Sequence, residues 1–292
     1  MANSPPTARR GPARPSFSRP SFSRRLFTRP FSVKTQPGFT QIAALCFLVL
    51  YAPLLPLVIY SFNAGTSLAI WEGLSLRWYV SAWDNDLVQD ATFRSLYLAA
   101  SAALIATTLA TMAALGTTRR GKFRGLTAIY AMINQPLMVP EIVTAVALLI
   151  LFAVVKGVVD YQGMGYLILA HTAFCIPFAY LPIRARLEGM DLTLETAAAD
   201  LYATPWQAFR YVTLPLLWPG ILAGMMLAFV ISLDDVVITE LVKSAGQDTL
   251  PTYMLGQLRR VITPEVNAIS TVLLAVSVVI VTIFFFLNRE KR

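Results

Sequence analysis

Three carboxylates stand where carboxylates are costly. Asp234 and Asp235 lie toward the end of an apolar run at about 215–241, and Glu141 interrupts another at about 126–155. An ionisable side chain in a membrane span costs about 2.5–3.5 kcal/mol on insertion scales, so it is kept where it meets a cation, a partner charge or water. A helix entering the membrane near Pro219 carries Asp234 about 22 Å along its axis. That is the outer third of the span, where a water-filled cavity would hydrate it. Adjacent helical residues point roughly 100° apart, so at most one of the two acids faces a pathway squarely. The plainer reading is that both mark the outer edge of the span. Glu141 follows Pro140 and leaves two readings open. It opens a helix, where a carboxylate meets free N–H groups, or it lies deep in a span continuous from Leu126.

Other chemistries find little support. His171 is the single histidine, and one imidazole without neighbouring ligands makes no metal site; an interhelical hydrogen bond is the expectation. Cys46 and Cys175 both sit in apolar runs, as small hydrophobes do. No Ser or Cys has a plausible base nearby, and no catalytic His/Asp/Glu cluster occurs. A phosphate-cradling Gly-x-x-x-x-Gly-Lys-Ser/Thr loop is absent, since Gly121-Lys122 lacks both the upstream glycine and the following hydroxyl. The chain is therefore read as a non-enzyme that needs no cofactor and hydrolyses no ATP itself.

The elements that must position these acids are membrane helices. Of 292 residues, 56% are apolar and 14% charged, and the mean hydropathy is +0.61; soluble domains carry about 25% charged residues. Six apolar stretches, at about 42–62, 95–116, 126–155, 166–183, 215–241 and 267–287, are each of the length a bilayer requires. Open-chain spans must be helical, and no ten-residue alternation suggests a barrel. The fold class is all-α with six transmembrane helices.

Charge sets the orientation. With the N-terminus in the cytoplasm, 18 of the 24 Lys and Arg residues fall inside, and Arg77, Arg94, Lys156, Lys243, Arg259 and Arg260 remain outside. Both termini are therefore expected in the cytoplasm. Eight of the inside charges belong to residues 1–40, a Pro/Ser/Arg-rich segment without acids that repeats RPSFS; beyond it, bases and acids number 16 each. The tail reads as a disordered cytoplasmic segment that brushes anionic lipid, although its composition also resembles a transit peptide. The balanced body gives no reason to expect nucleic acid. Residues 41–288 are assigned to the membrane domain and 289–292 to a cytoplasmic C-terminus. Trp71, Trp78 and Trp83, in the first outside loop, read as interfacial anchors.

The connection at 184–213, between the fourth and fifth spans, holds two short helices. The first runs from about Thr193 to Leu201, with Glu195 in its first turn and Ala197, Ala198 and Ala199 forming a small face. The second opens at Thr204-Pro205-Trp206-Gln207, a capping box with proline at the first helical position.

This connection resembles the cytoplasmic signature of ABC-importer permeases, Glu-Ala-Ala, three residues, Gly, nine residues, Ile-x-Leu-Pro. Counting back from Leu214-Pro215 places Val212 at the Ile position, Tyr202 at the Gly, Ala197 and Ala198 at the alanines and Thr196 at the Glu, with Glu195 one residue early. Thr196 replaces the acid. Tyr202 replaces a glycine that tolerates a left-handed conformation, so the turn there is expected to be reshaped. The resemblance implies the type I ABC-importer permease fold and an ATPase-coupling segment carried by Glu195, Thr196, Ala197, Ala198, Asp200, Tyr202, Leu214 and Pro215.

A second likeness narrows the solute. Ser232-Leu233-Asp234-Asp235-Val236-Val237, Leu250-Pro251, Thr263 to Ala268, Met138 to Glu141 and His171 to Pro177 are similar to spermidine/putrescine-type permeases. This implies a bacterial inner-membrane permease subunit that moves polyamines by alternating access, with Glu141, Asp234 and Asp235 on the pathway. Implied partners are a second homologous permease, two ATPases, a periplasmic solute-binding protein and membrane lipid. The alternatives are a permease for another small organic solute and an ion-coupled secondary transporter. The latter calls for paired broken helices, and the interrupted third stretch has no matching partner.

Overall fold

The computed structural model describes residues 39–288 except 68, 69, 120, 122, 160, 162 and 260–263. Nearly all of the basic tail 1–40, and the C-terminus 289–292, lie outside the described residues. So do Arg120, Lys122, Arg260 and Thr263 of the charge count and motifs.

The described residues form thirteen α-helices: α1 Phe39–Tyr51, α2 Leu54–Tyr60, α3 Arg77–Asp84, α4 Asp86–Thr118, α5 Leu126–Met138, α6 Glu141–Val158, α7 Gly165–Glu188, α8 Thr193–Asp200, α9 Pro205–Ala208, α10 Leu214–Asp234, α11 Val237–Val242, α12 Leu250–Leu258 and α13 Pro264–Asn288. A π-helical turn, Phe209–Thr213, joins α9 to α10. No strand occurs among the described residues; Asn63 and Leu74 form an isolated bridge. Among the described residues, five segments are long and apolar enough to cross a membrane: Asp86–Thr118, Glu141–Val158, Gly165–Glu188, Pro205–Asp234 and Pro264–Ile283. A sixth follows if α1 and α2 together make one span.

The chain divides into two units at Tyr51/Ala52. In the first, α1 presents exposed apolar side chains such as Leu45, Leu48 and Leu50, and the Phe47 and Tyr51 rings stack. Cys46 is exposed there. The second unit is built on α4, α7 and α10. Along α4, Ala99, Ala102, Ala103, Ala106, Ala110 and Ala114 are buried, a small-residue seam that lets helix backbones approach closely. Gly220 and Gly224 do the same on α10. A Cβ at 224 would lie 2.7 Å from the Ala179 carbonyl oxygen of α7, and one at 220 would lie 2.7 Å from Arg186 Cβ. In this seam Thr117 Oγ1 and Tyr180 Oη bond at 2.9 Å, while the buried hydroxyls of Thr107 and Thr172 make no hydrogen bond.

Several boundaries differ from the sequence expectation. Helix α4 begins nine residues before position 95. The charged turn Asp90–Arg94 is an i,i+4 ion pair, and Asn85 caps the helix by accepting from Leu87 N–H at 3.1 Å. The third stretch is two helices, α5 and α6, separated at Val139-Pro140. The fifth is also two helices, because α10 ends at Asp234 and the chain restarts at Val237. Trp78 is a correction. It is buried, and its Nε1–H donates to the carbonyls of Asn63 and Gly65. Trp78 therefore braces the loop from inside, while Trp71 and Trp83 are exposed.

Candidate functional site

The segment between α7 and α10 folds as its sequence dictates. Asp191 accepts from Thr193 N–H at 2.9 Å, and that bond holds its carboxyl below the usual carboxylate range. Helix α8 then runs Thr193–Asp200. The capping box at Thr204 is formed in both directions: Gln207 N–H donates to Thr204 Oγ1, and Thr204 N–H donates to Gln207 Oε1.

Between the helices, the expected reshaping of the turn does not occur. Tyr202 is left-handed, at φ 61°, and is the single described non-glycine residue with positive φ. Ala203 N–H bonds to Ala198 O and Tyr202 N–H to Ala199 O, the paired bonds that close a helix with a left-handed residue. The hydrogen-bond pattern fixes this backbone, so the side chain has to tolerate it, at about 1–2 kcal/mol. At 96% exposure the Tyr202 side chain packs on nothing that offsets this cost. Tyr202→Gly is therefore expected to raise the thermal midpoint of the purified protein. An unchanged or lower midpoint would show that the tyrosine ring contributes as much as the strain removes.

Helix α8 has two faces. Its inner face carries Glu195 and Ala198, both partly buried. Glu195 Oε1 accepts from Arg119 Nη2 of the α4 C-terminus at 2.8 Å and from Thr213 Oγ1 at 3.0 Å. The Arg119 and Glu195 side chains are 23% and 25% exposed. One carboxylate thus ties the connecting segment to both the longest helix and the entry to α10. The outer face carries Leu194, Thr196, Ala197 and Asp200, and continues into Leu201, Tyr202 and Trp206, all exposed. Leu214 is partly buried and Pro215 exposed in the first turn of α10.

The three intramembrane acids part company. Asp235 is 7% exposed and caps α11. Its Oδ1 accepts from Ile238 N–H at 3.3 Å, and its Oδ2 accepts from both the N–H and the hydroxyl of Thr239 at 2.9 Å. His171, on α7, bonds to Ser232 Oγ through Nδ1 at 2.8 Å and to Thr239 Oγ1 through Nε2 at 2.9 Å. Its role as an interhelical hydrogen bonder is as expected. Glu141 opens α6 directly after Pro140, the helix-start arrangement, and its carboxyl lies beside that of Asp235. Asp234 is separate from this group. It is exposed on the other side of α10 and lines a cavity of about 330 Å³ between α2, α10, α12 and α13. Leu57, Leu233, Met254 and Leu273 form apolar walls there, and Ser270 and Ser277 add hydroxyls. A carboxylate in such a setting suits an alkyl ammonium, whose methylenes and charge need different surfaces.

The sequence reading gave no site role to Arg119, Thr213, Ser232, Thr239, Ser270 or Ser277. The Ser and Thr residues flanking Asp234-Asp235 were the available signal for the break. A second, apolar cavity of about 490 Å³ lies between α5, α6 and α7, bordered by Met132, Pro136, Val143 and Ile176. Among the described residues, no group of three His, Cys, Asp or Glu side chains could hold a metal ion.

Comparisons with known proteins agree with this architecture. The chain is 39% identical over 264 residues to the putrescine transport system permease protein PotI of Escherichia coli (strain K12), covering 89% of this chain and 94% of that protein. It is 36% identical over 243 residues to the spermidine/putrescine transport system permease protein PotC of Haemophilus influenzae, covering 83% and 93%. Its fold is similar to that of a bacterial ABC transporter involved in import of the acidic polysaccharide alginate (TM-score 0.66, 18% identity, 86% and 94% covered). It is also similar to that of the MetNI methionine ABC transporter in an inward-facing conformation (TM-score 0.57, 17% identity, 70% and 95% covered). At those identities the likeness concerns fold alone. Residues 106–289 match the family described as binding-protein-dependent transport system inner membrane component, and with relatives this similar over most of its length the chain belongs to that family.

Proposed function

We propose that the chain is a permease subunit of an ATP-driven importer that moves polyamines, cations of the spermidine and putrescine kind, across the inner membrane by alternating access. The observation that carries this reading is Asp234, a carboxylate open to an apolar cavity that also offers two serines. The relatives' printed names, putrescine and spermidine/putrescine permeases, supply the solute class. Glu141 and Asp235 serve the same pathway by shaping the broken segment beside Asp234. ATP hydrolysis belongs to two partner ATPase subunits. A second homologous permease and a periplasmic solute-binding protein complete the assembly.

Both termini are placed in the cytoplasm, so that the 184–213 segment meets the ATPases. Within it Thr196, Ala197, Asp200 and Tyr202 belong to the docking surface, with Leu201 and Trp206 as apolar anchors. Glu195 and Ala198 hold that surface to the bundle, and Leu214 and Pro215 begin the helix that receives its motion.

The test is the assembled complex in proteoliposomes. Saturable, vanadate-sensitive uptake of putrescine or spermidine is expected on addition of ATP and binding protein. In the same vesicles, an impermeant thiol reagent should reach Asn85→Cys from the binding-protein side and Asp200→Cys from the ATPase side. Uptake driven by an ion gradient without ATP would sink the importer reading, and labelling of position 200 from the binding-protein side would sink the orientation.

A further inference from the structure

The break after Asp234 is held by a group that the pathway reading does not use. Helix α10 ends at Asp234, Asp235 is extended (φ −66°, ψ 131°), and α11 restarts at Val237. A helix interrupted in this way leaves the carbonyls of one end and the N–H groups of the other without partners. The Asp235 carboxylate meets the second need by accepting from Ile238 and Thr239 N–H. Nothing in that cap fixes the end of α10 relative to the start of α11.

His171 does. It is 1% exposed on α7, and its two ring nitrogens reach opposite sides of the break, Nδ1 to Ser232 in the last turn of α10 and Nε2 to Thr239 in the first turn of α11. The direction of these bonds follows from the acceptors present. The Thr239 hydroxyl donates its one proton to Asp235 Oδ2. Its oxygen therefore accepts from His171 Nε2–H, and with the ring neutral Nδ1 accepts from Ser232 Oγ–H. Four side chains are thus linked in the order Ser232, His171, Thr239, Asp235, and His171 Nε2 also lies 3.4 Å from Asp235 Oδ2. Glu141 and the buried Cys175 are further ionisable groups beside Asp235.

We propose that His171 is the positioning residue of this broken span: by splinting α10 to α11 it fixes the last turn of α10, and with it the direction in which Asp234 faces its cavity. Helix ends fray where their last turn is not held, and each residue of added or lost helix swings the side chains around it by about 100°. Deleting the splint thus turns Asp234 away from the cavity while the α4–α7–α10 seam stays packed. The inference rests on the reading of Asp234 as a pathway group, but its test does not require a solute.

The experiment uses the assembled complex carrying Cys46→Ser and Asp234→Cys, with modification by methanethiosulfonate ethylammonium followed over time. Rapid modification is expected with His171 present, at least about fivefold slower modification in His171→Ala, and recovery to within about twofold in His171→Gln. The glutamine amide carries an acceptor oxygen and an NH2 donor that point in divergent directions, as the two ring nitrogens do. Should His171→Ala fail to assemble, Ser232→Ala cuts only the α10 end of the splint, and it must slow the modification as well. A rate that ignores these substitutions in assembled complexes overturns the proposal, as does a glutamine variant that assembles yet stays as slow as the alanine one. In the chain retaining Asp234, His171→Ala should raise the KM for uptake and His171→Gln should restore it. Loss of the pathway reading would show separately, as normal uptake by Asp234→Asn with the labelling pattern intact.

Discussion

Asp234→Asn is expected to lower polyamine uptake by about tenfold or more while the complex assembles and hydrolyses ATP normally. The substitution keeps the shape of the side chain and removes the charge. It breaks no hydrogen bond recorded for Asp234, because the carboxylate faces a cavity of about 330 Å³ and is not tied into the α11 cap. A tenfold loss corresponds to about 1.4 kcal/mol, a modest share of what a desolvated ammonium loses without a counter-charge. The neighbouring acid gives the contrast. Asp235→Asn replaces one acceptor oxygen with an NH2 group facing N–H donors, in a position 7% exposed. That change costs about 1–3 kcal/mol of stability, read as a lower thermal midpoint and yield. Equal loss of uptake per folded complex in both variants would remove the distinction between a pathway acid and a capping acid.

That distinction was only partly open to the sequence. Hydropathy located the apolar stretches, since the need to satisfy backbone groups in lipid leaves helices as the solution. It could not see the break after Asp234. Val236, Val237 and Ile238 keep the run apolar, and what ends the helix is a carboxylate turned back onto the backbone. The capping box at Thr204 was legible because both partners lie within four residues. Tyr202 was misread for the opposite reason: a side-chain penalty was weighed, while two backbone bonds to Ala198 and Ala199 hold the turn left-handed whatever residue occupies it. Asn63 behaves similarly. Its buried amide binds Ser67 O and Ile70 O and accepts from Glu72 N–H, so the loop beside Trp78 is organised from within, and a count of surface tryptophans does not reveal it.

Least legible of all was the tie between Arg119 and Glu195, 76 residues apart, and it carries the other large expected effect. Arg119 entered the sequence argument as one of 24 positive charges, and Glu195 as a helix-start acid. In the fold they meet at 2.8 Å with the Thr213 hydroxyl on the same oxygen. Three segments converge there: the end of α4, the inner face of α8 and the π-helical turn that leads into α10. If α8 receives the ATPase stroke, this is the point through which the stroke reaches the α4–α7–α10 seam. Because both side chains are about three-quarters buried, the pair is screened less than a surface bridge. Reversing either charge, Arg119→Glu or Glu195→Arg, places like charges in contact and should cut uptake about tenfold or more, with basal ATP hydrolysis persisting in assembled complexes. The double reversal restores opposite charges, and the Thr213 hydroxyl can accept from an arginine as readily as it donates to a glutamate. It should recover most of the lost uptake, a coupling energy of at least about 1 kcal/mol in the double-mutant cycle. Additive losses in that cycle would mean that the two residues act separately, and that the stroke travels from α8 to the bundle by packing alone.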